Sequence, residues 1–140
     1  RCQSMQGVEY RGSLPQPELA VALKSASVLA YPNTFAETSC IAVMEAMAAG
    51  LHVITSNCGA LPETTAGFAS LIEISGVPEI DTRAFALKTI EYIHGILRQT
   101  DTEREQALRK QVEFVMSHYT WARRAAEFSE WAQKLHARAS

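Results

Sequence analysis

Between Val8 and Glu73 the apolar residues fall into short runs separated by polar, glycine-bearing or proline-bearing breaks, and beyond Pro78 they recur at helical spacing only. Val8-Glu9-Tyr10-Arg11 has the alternation of a short strand, and Gly12-Ser13 breaks it. A helix follows: Pro17 suits a first turn, Glu18 suits the dipole there, and Leu14, Leu19, Ala22 and Leu23 make an apolar stripe as far as Lys24 or Ser25. Val28-Leu29-Ala30-Tyr31 is a nearly continuous apolar run, as expected of a strand covered on both faces, and Pro32-Asn33-Thr34 ends it.

The next helix is expected from about Ser39 to Ala49, with Thr38 or Ser39 as its cap and Gly50 as its stop. His52-Val53-Ile54-Thr55 reads as a third strand, Ser56 to Ala60 as the loop after it, and Leu61 to Thr65 as a short helical turn before Gly67. Ser70-Leu71-Ile72-Glu73 is a weaker fourth strand. Past Pro78, one helix is expected with the stripe Ala86, Ile90, Ile93 and Leu97. A second begins at the capping box Thr102-Glu103-Arg104-Glu105 and carries Leu108, Val112 and Val115. Thr120 caps a third that carries Trp121, Ala125, Phe128, Ala132 and Leu135, and the three helices are expected to cover sheet faces.

Strand, helix, strand, helix, strand is an α/β order that implies right-handed crossovers and a parallel sheet with helices outside. Residues 1–76 form the strand and helix core and 77–140 the C-terminal helices of one domain. Ligands of such sheets bind beyond the carboxyl ends of the strands, where Pro32 to Ser39 and Ser56 to Glu63 lie.

Composition narrows the classes. A chain of 140 residues with 47% apolar content fills one ordinary core, and a net charge of −2 with dispersed Lys and Arg offers no basic field for nucleic acid. No apolar stretch reaches the length of a membrane span and no secretory leader is recognised, so the expected compartment is the cytoplasm. Cys2, Cys40 and Cys58 lack a Cys-x-x-Cys pair, and His52, His94, His118 and His136 have no companion at metal-ligand spacing, so free thiols and no metal site are expected. The chain opens at Arg1 without an initiator methionine and reads as a piece of something longer.

The candidate chemistry lies between Phe35 and Gly50, where seven residues separate Glu37 on a polar loop from Glu45 inside an apolar helix. An acid on an apolar helical face is costly to bury alone, so Glu45 calls for a basic residue or a polar ligand. The start of the same helix offers unpaired N–H groups and a positive dipole end suited to phosphate, with the Thr38 and Ser39 hydroxyls beside it. Glu37 can accept hydrogen bonds from sugar hydroxyls, and Glu45, leaning toward the helix N-terminus, can reach the mouth of the site. Together these groups suit a ligand that joins a phosphate to polyols. Taken singly, each has a plainer reading: a helix cap, an acid paired with an arginine, a turn glycine.

In order and spacing, Tyr31-Pro32-Asn33, then Glu37 through Glu45-Ala46-Met47-Ala48-Ala49-Gly50, then His52-Val53-Ile54-Thr55 and Gly59-Ala60-Leu61-Pro62-Glu63 resemble the E-x7-E region of the retaining, family-four-like glycosyltransferases with two Rossmann-like domains, the GT-B fold. Tyr119-Thr120-Trp121 resembles the motif before that family's last helix. The resemblance implies an incomplete C-terminal half of a GT-B fold, a Rossmann-like parallel sheet flanked by helices, that binds a nucleotide-diphosphate sugar. In the full-length protein the sugar would pass to an acceptor with retention of configuration. By the same resemblance Glu37 is the catalytic residue and binds hydroxyls of the transferred sugar, Thr38, Ser39, Cys40 and Ile41 bind the donor along its sugar and diphosphate, and Glu45 holds the ribose hydroxyls. No metal and no cofactor beyond the nucleotide-sugar donor are implied.

Two departures stand out: Thr38 and Ser39 replace the usual Gly-Phe, and neither Arg11 nor Lys24 matches the basic residue that grips the diphosphate in that family. The implied partners are the nucleotide sugar and an N-terminal acceptor domain, without which the isolated chain is expected to be inactive. Peripheral membrane contact is assigned only to segments outside the chain. With about four strands, one sheet edge would be open to self-association. Two other readings share the fold, a nucleotide-sugar epimerase domain and a non-catalytic scaffold or regulatory module.

Overall fold

The computed structural model describes residues 4–139, so the expectations for Arg1 and Cys2 lie outside the described residues. Among those residues the sheet has three strands, β1 (Val28–Tyr31), β2 (His52–Ser56) and β3 (Ser70–Ile72), in the order β1-β2-β3. All pairs are parallel, with Val28 opposite His52, Tyr31 opposite Thr55, and Ile54 opposite Ser70. The central strand has Val53, Ile54, Thr55 and Ser56 buried, as a strand covered on both faces requires. The fold is a Rossmann-like α/β arrangement with helices α1 (Gln16–Ser25), α2 (Ile41–Ala48), α3 (Leu61–Thr65), α4 (Pro78–Arg98) and α5 (Asp101–His118), in which α2 and α4 pack on the strands and α1, α3 and α5 pack on α2.

α2 is the keystone of the core. Cys40, Val43, Ala46 and Met47 fall at spacings of three, three and one, which puts all four on one buried face against Leu51, Val53, Leu61 and Val115. Gly50 takes φ +79°, the left-handed conformation that ends a helix without the steric penalty of a Cβ. Met47 and Leu51 on either side of the α2 end are buried, and their carbonyls need partners: Gln111 of α5 supplies them, its Nε2 donating to Met47 O at 3.1 Å and Leu51 O at 2.9 Å. Tyr119, just past α5, donates its hydroxyl to Thr64 O at 3.0 Å and so ties the end of α3 to the same layer.

Several expectations change. Val8 to Arg11 belongs to no strand; Val8 and Tyr10 are open to solvent, and two apolar residues in four bury too little to hold an edge. The cap of α2 is Cys40, in extended conformation at φ −106°, and neither Thr38 nor Ser39. Both hydroxyl residues lie on the exposed loop before the cap, while burial of the Cys40 thiol sets where the helix begins. In α4 the inward side carries Phe85, Thr89, Tyr92, Ile93 and Ile96, whereas Ile90 and Leu97 face outward. The expected stripe is thus turned by about one residue, roughly 100° of helix, because the larger rings of Phe85 and Tyr92 take the buried side.

The capping box of α5 begins two residues earlier than expected: Thr100 accepts from Glu103 N, and the Glu103 carboxylate accepts from Thr100 N. Arg104 favours that earlier start by donating to Ile96 O and Gln99 O, which closes the α4–α5 corner. The last helix, α6 (Trp121–Ala139), does not cover the sheet. Trp121 is 85% exposed and Phe128 66%, so its apolar stripe faces outward.

Candidate functional site

The loop from Pro32 to Cys40 leaves the carboxyl end of β1 and is fastened there by β2. Thr55 Oγ1 donates to Tyr31 O at 2.9 Å, and Ser56 Oγ donates to Asn33 O. Asn33 folds its amide over Phe35, accepting from Phe35 N at 3.0 Å and donating to Phe35 O at 2.6 Å, a local turn typical of this residue. These contacts bring the chain to Glu37, three residues before the cap of α2.

Glu37 is held from two sides. The Tyr31 hydroxyl donates to its Oε1 at 2.6 Å. Its backbone packs beneath Gly59 of the β2–α3 loop, and Ala60 N donates to Glu37 O at 2.8 Å. A Cβ at Gly59, whose φ is +57°, would stand 2.6 Å from Glu37 N and 2.7 Å from Glu37 O, so only glycine permits the approach. The bond to the Glu37 carboxylate, with burial second, raises the pKa of Tyr31 well above the ordinary tyrosine value and keeps the hydroxyl protonated. Burial, and then the nearby Glu37 carboxylate, push the Cys40 thiol up as well.

Glu45 lies elsewhere on α2. Its Oε1 accepts from the Gln16 amide of α1 at 2.6 Å, so a neutral amide stands where the sequence suggested a basic residue or a ligand. It is half-buried, and the partly exposed carboxylate requires no compensating cation. Glu45, Ser39 and Ile41 share a cavity of about 580 Å³ with Met44, Glu63 and Trp121, and Arg124 lies on the same wall. The Arg124 guanidinium stands 5.6 Å from the centre of the Tyr119 ring and pairs with Glu127.

The six nominated residues therefore divide. Ser39, Ile41 and Glu45 line the cavity; Glu37 turns toward Tyr31 under the Gly59 loop; Cys40 is buried; Thr38 is exposed on the loop. Tyr31, Gly59 and Arg124 join the neighbourhood without having been nominated. A glycine two positions before Leu61-Pro62-Glu63 was a visible signal for the close approach, but its contact across the chain was not. Cys40 and Cys58 are free thiols, and among the described residues no group of three His, Cys, Asp or Glu side chains could hold a metal ion. Among the described residues no helix is long and apolar enough to cross a membrane.

A parallel α/β sheet whose polar loops and helix starts meet at the carboxyl ends of the strands defines a class of small-molecule-binding domains. The sequence profile of the glycosyl transferases group 1 family matches residues 1–94, and the chain belongs to that family. Its chemistry is accordingly glycosyl transfer. No curated protein and no solved structure matches the chain.

Proposed function

We propose that the chain is the nucleotide-sugar-binding part of a retaining glycosyltransferase of the two-domain GT-B kind, completed by an acceptor domain elsewhere in the protein. The observation that carries the reading is the Glu37 loop, held by Tyr31 and Gly59 just before α2 and inside the segment that matches the family. Glu37 accepts hydroxyls of the transferred sugar. The amides that open α2 and the hydroxyls of Thr38 and Ser39 face the diphosphate, where the helix dipole stabilises charge on the departing nucleoside diphosphate. Glu45, on the wall of the cavity of about 580 Å³, takes the ribose hydroxyls, exchanging the Gln16 amide for them or sharing its carboxylate between both. Retention follows when the acceptor oxygen forms its bond to the anomeric carbon on the face from which the diphosphate leaves, its proton passing to the donor phosphate. No metal ion is required, and the isolated chain does not turn over.

Calorimetric titration of the complete protein with UDP, GDP, UDP-glucose and GDP-mannose tests this. One nucleotide and its sugar derivative should bind saturably, and Glu45→Ala should weaken both by about 1.5–3 kcal/mol, roughly ten- to a hundredfold in Kd. Failure to bind any of them, or equal affinity in Glu45→Ala, would overturn the assignment. Conversion of the donor sugar without an acceptor would instead identify an epimerase.

A further inference from the structure

Tyr31 closes β1, and its backbone carbonyl is fixed by Thr55 of the neighbouring strand. The strand therefore sets the direction of the ring, and the hydroxyl arrives 2.6 Å from Glu37 Oε1. On the other side the Glu37 peptide is clamped by Gly59 and by the Ala60 N–H at 2.8 Å. A loop carboxylate would ordinarily sample several rotamers. Here the backbone is fixed by one loop and one carboxylate oxygen by a strand residue. An ionised carboxylate has about four acceptor positions, so one bond from Tyr31 leaves room for others. Because the Tyr31 hydroxyl keeps its proton, it is the donor in this contact.

We propose that Tyr31 is a positioning residue for Glu37: its hydroxyl donates to Oε1 and holds the carboxylate so that its free acceptor positions meet the hydroxyls of the donor sugar. This rests on the donor reading above. Tyr31 touches neither the nucleotide nor the acceptor in this scheme; it acts only through Glu37. Its removal therefore has a distinct signature, a loss confined to the sugar part of the donor.

The test compares the nucleoside diphosphate with its sugar derivative, UDP with UDP-glucose or GDP with GDP-mannose according to which pair the wild type binds. Tyr31→Phe in the complete protein is expected to weaken the sugar derivative roughly tenfold while leaving the bare diphosphate unchanged. In a Glu37→Ala background the same substitution should have no further sugar-selective effect, since the carboxylate it positions is gone. Tyr31→His, which sets its ring nitrogen short of the hydroxyl position, is the second variant should the first fail to fold, and it should show the same sugar-selective loss. Equal weakening of both ligands, wild-type affinity for both, or a full additional loss in Glu37→Ala would overturn the role of Tyr31 while leaving donor binding intact. A wild-type protein that binds neither ligand would overturn the donor reading, and the proposal with it.

Discussion

Glu37 and Glu45 are chemically alike, and their surroundings differ. Glu37 has a strand tyrosine on one oxygen and a glycine loop against its backbone, which fixes direction. Glu45 has a side-chain amide from α1, a partner on an exposed contact that a ligand can displace or share. The glycine decides more than the acids do. Gly59→Ala would put a methyl group where Glu37 N and O stand 2.6 and 2.7 Å away, in a left-handed conformation that alanine adopts at a cost. The expected outcome is a loss of about 1–3 kcal/mol in urea unfolding, with donor binding weakened in parallel because the loop must move away from Glu37. Unchanged unfolding and unchanged binding would show that the two loops do not depend on each other. At this scale the acids and their spacing were legible in the sequence. Their partners were not: Tyr31 is six residues from Glu37 and Gln16 is 29 from Glu45, and no local pattern encodes which oxygen meets which donor.

Among the elements, α2 and α5 form the pair that holds the Glu37 and Glu45 segment in place. α2 is a short, largely apolar helix with Met47 and Leu51 buried around its C-terminal end, and buried carbonyls there are costly unless another element supplies donors. Gln111 does so from the middle of α5, where an alternation-based reading sees only a polar residue between Leu108 and Val112. Gln111→Leu fills similar space but leaves Leu51 O without that bond, and should cost about 1–3 kcal/mol of stability in chemical denaturation. A stability equal to wild type would mean that the carbonyls find other partners. The helix boundaries show why local rules slip here. Thr100-x-x-Glu103 and Thr102-x-x-Glu105 are equally good capping boxes in the sequence, and Arg104 reaching back to Ile96 and Gln99 selects the first. Likewise α4 carries two apolar stripes, and the sheet takes the one with Phe85 and Tyr92.

Across the whole molecule, burial is concentrated rather than spread. Val53 to Ser56 of β2, the inner face of α2 (Val43, Ala46 and Met47) and Leu61, Thr64 and Thr65 of α3 are enclosed, whereas residues 8–13 and most side chains of α6 are exposed. Native-state hydrogen exchange should follow that gradient: amides of Val53 to Ser56 and of Val43 to Met47 should exchange only on global unfolding. Those of α6 should exchange through local fraying at far lower free energy. Protection in α6 equal to that of β2 would show that the last helix belongs to the cooperative core.

The sequence by itself determined the α/β order, the three paired strands, the short helix before Gly67 and the candidate acids, because periodicity, glycine and proline act over a few residues. Tertiary structure decided that Val8 to Arg11 stays out of the sheet, that Cys40 caps α2, that α4 turns its aromatic side inward, and that Glu37 is held between Tyr31 and Gly59. Each of those depends on which distant surface a residue meets. Burial and hydrogen bonding across long separations choose between local alternatives whose own energies differ by about 1 kcal/mol or less.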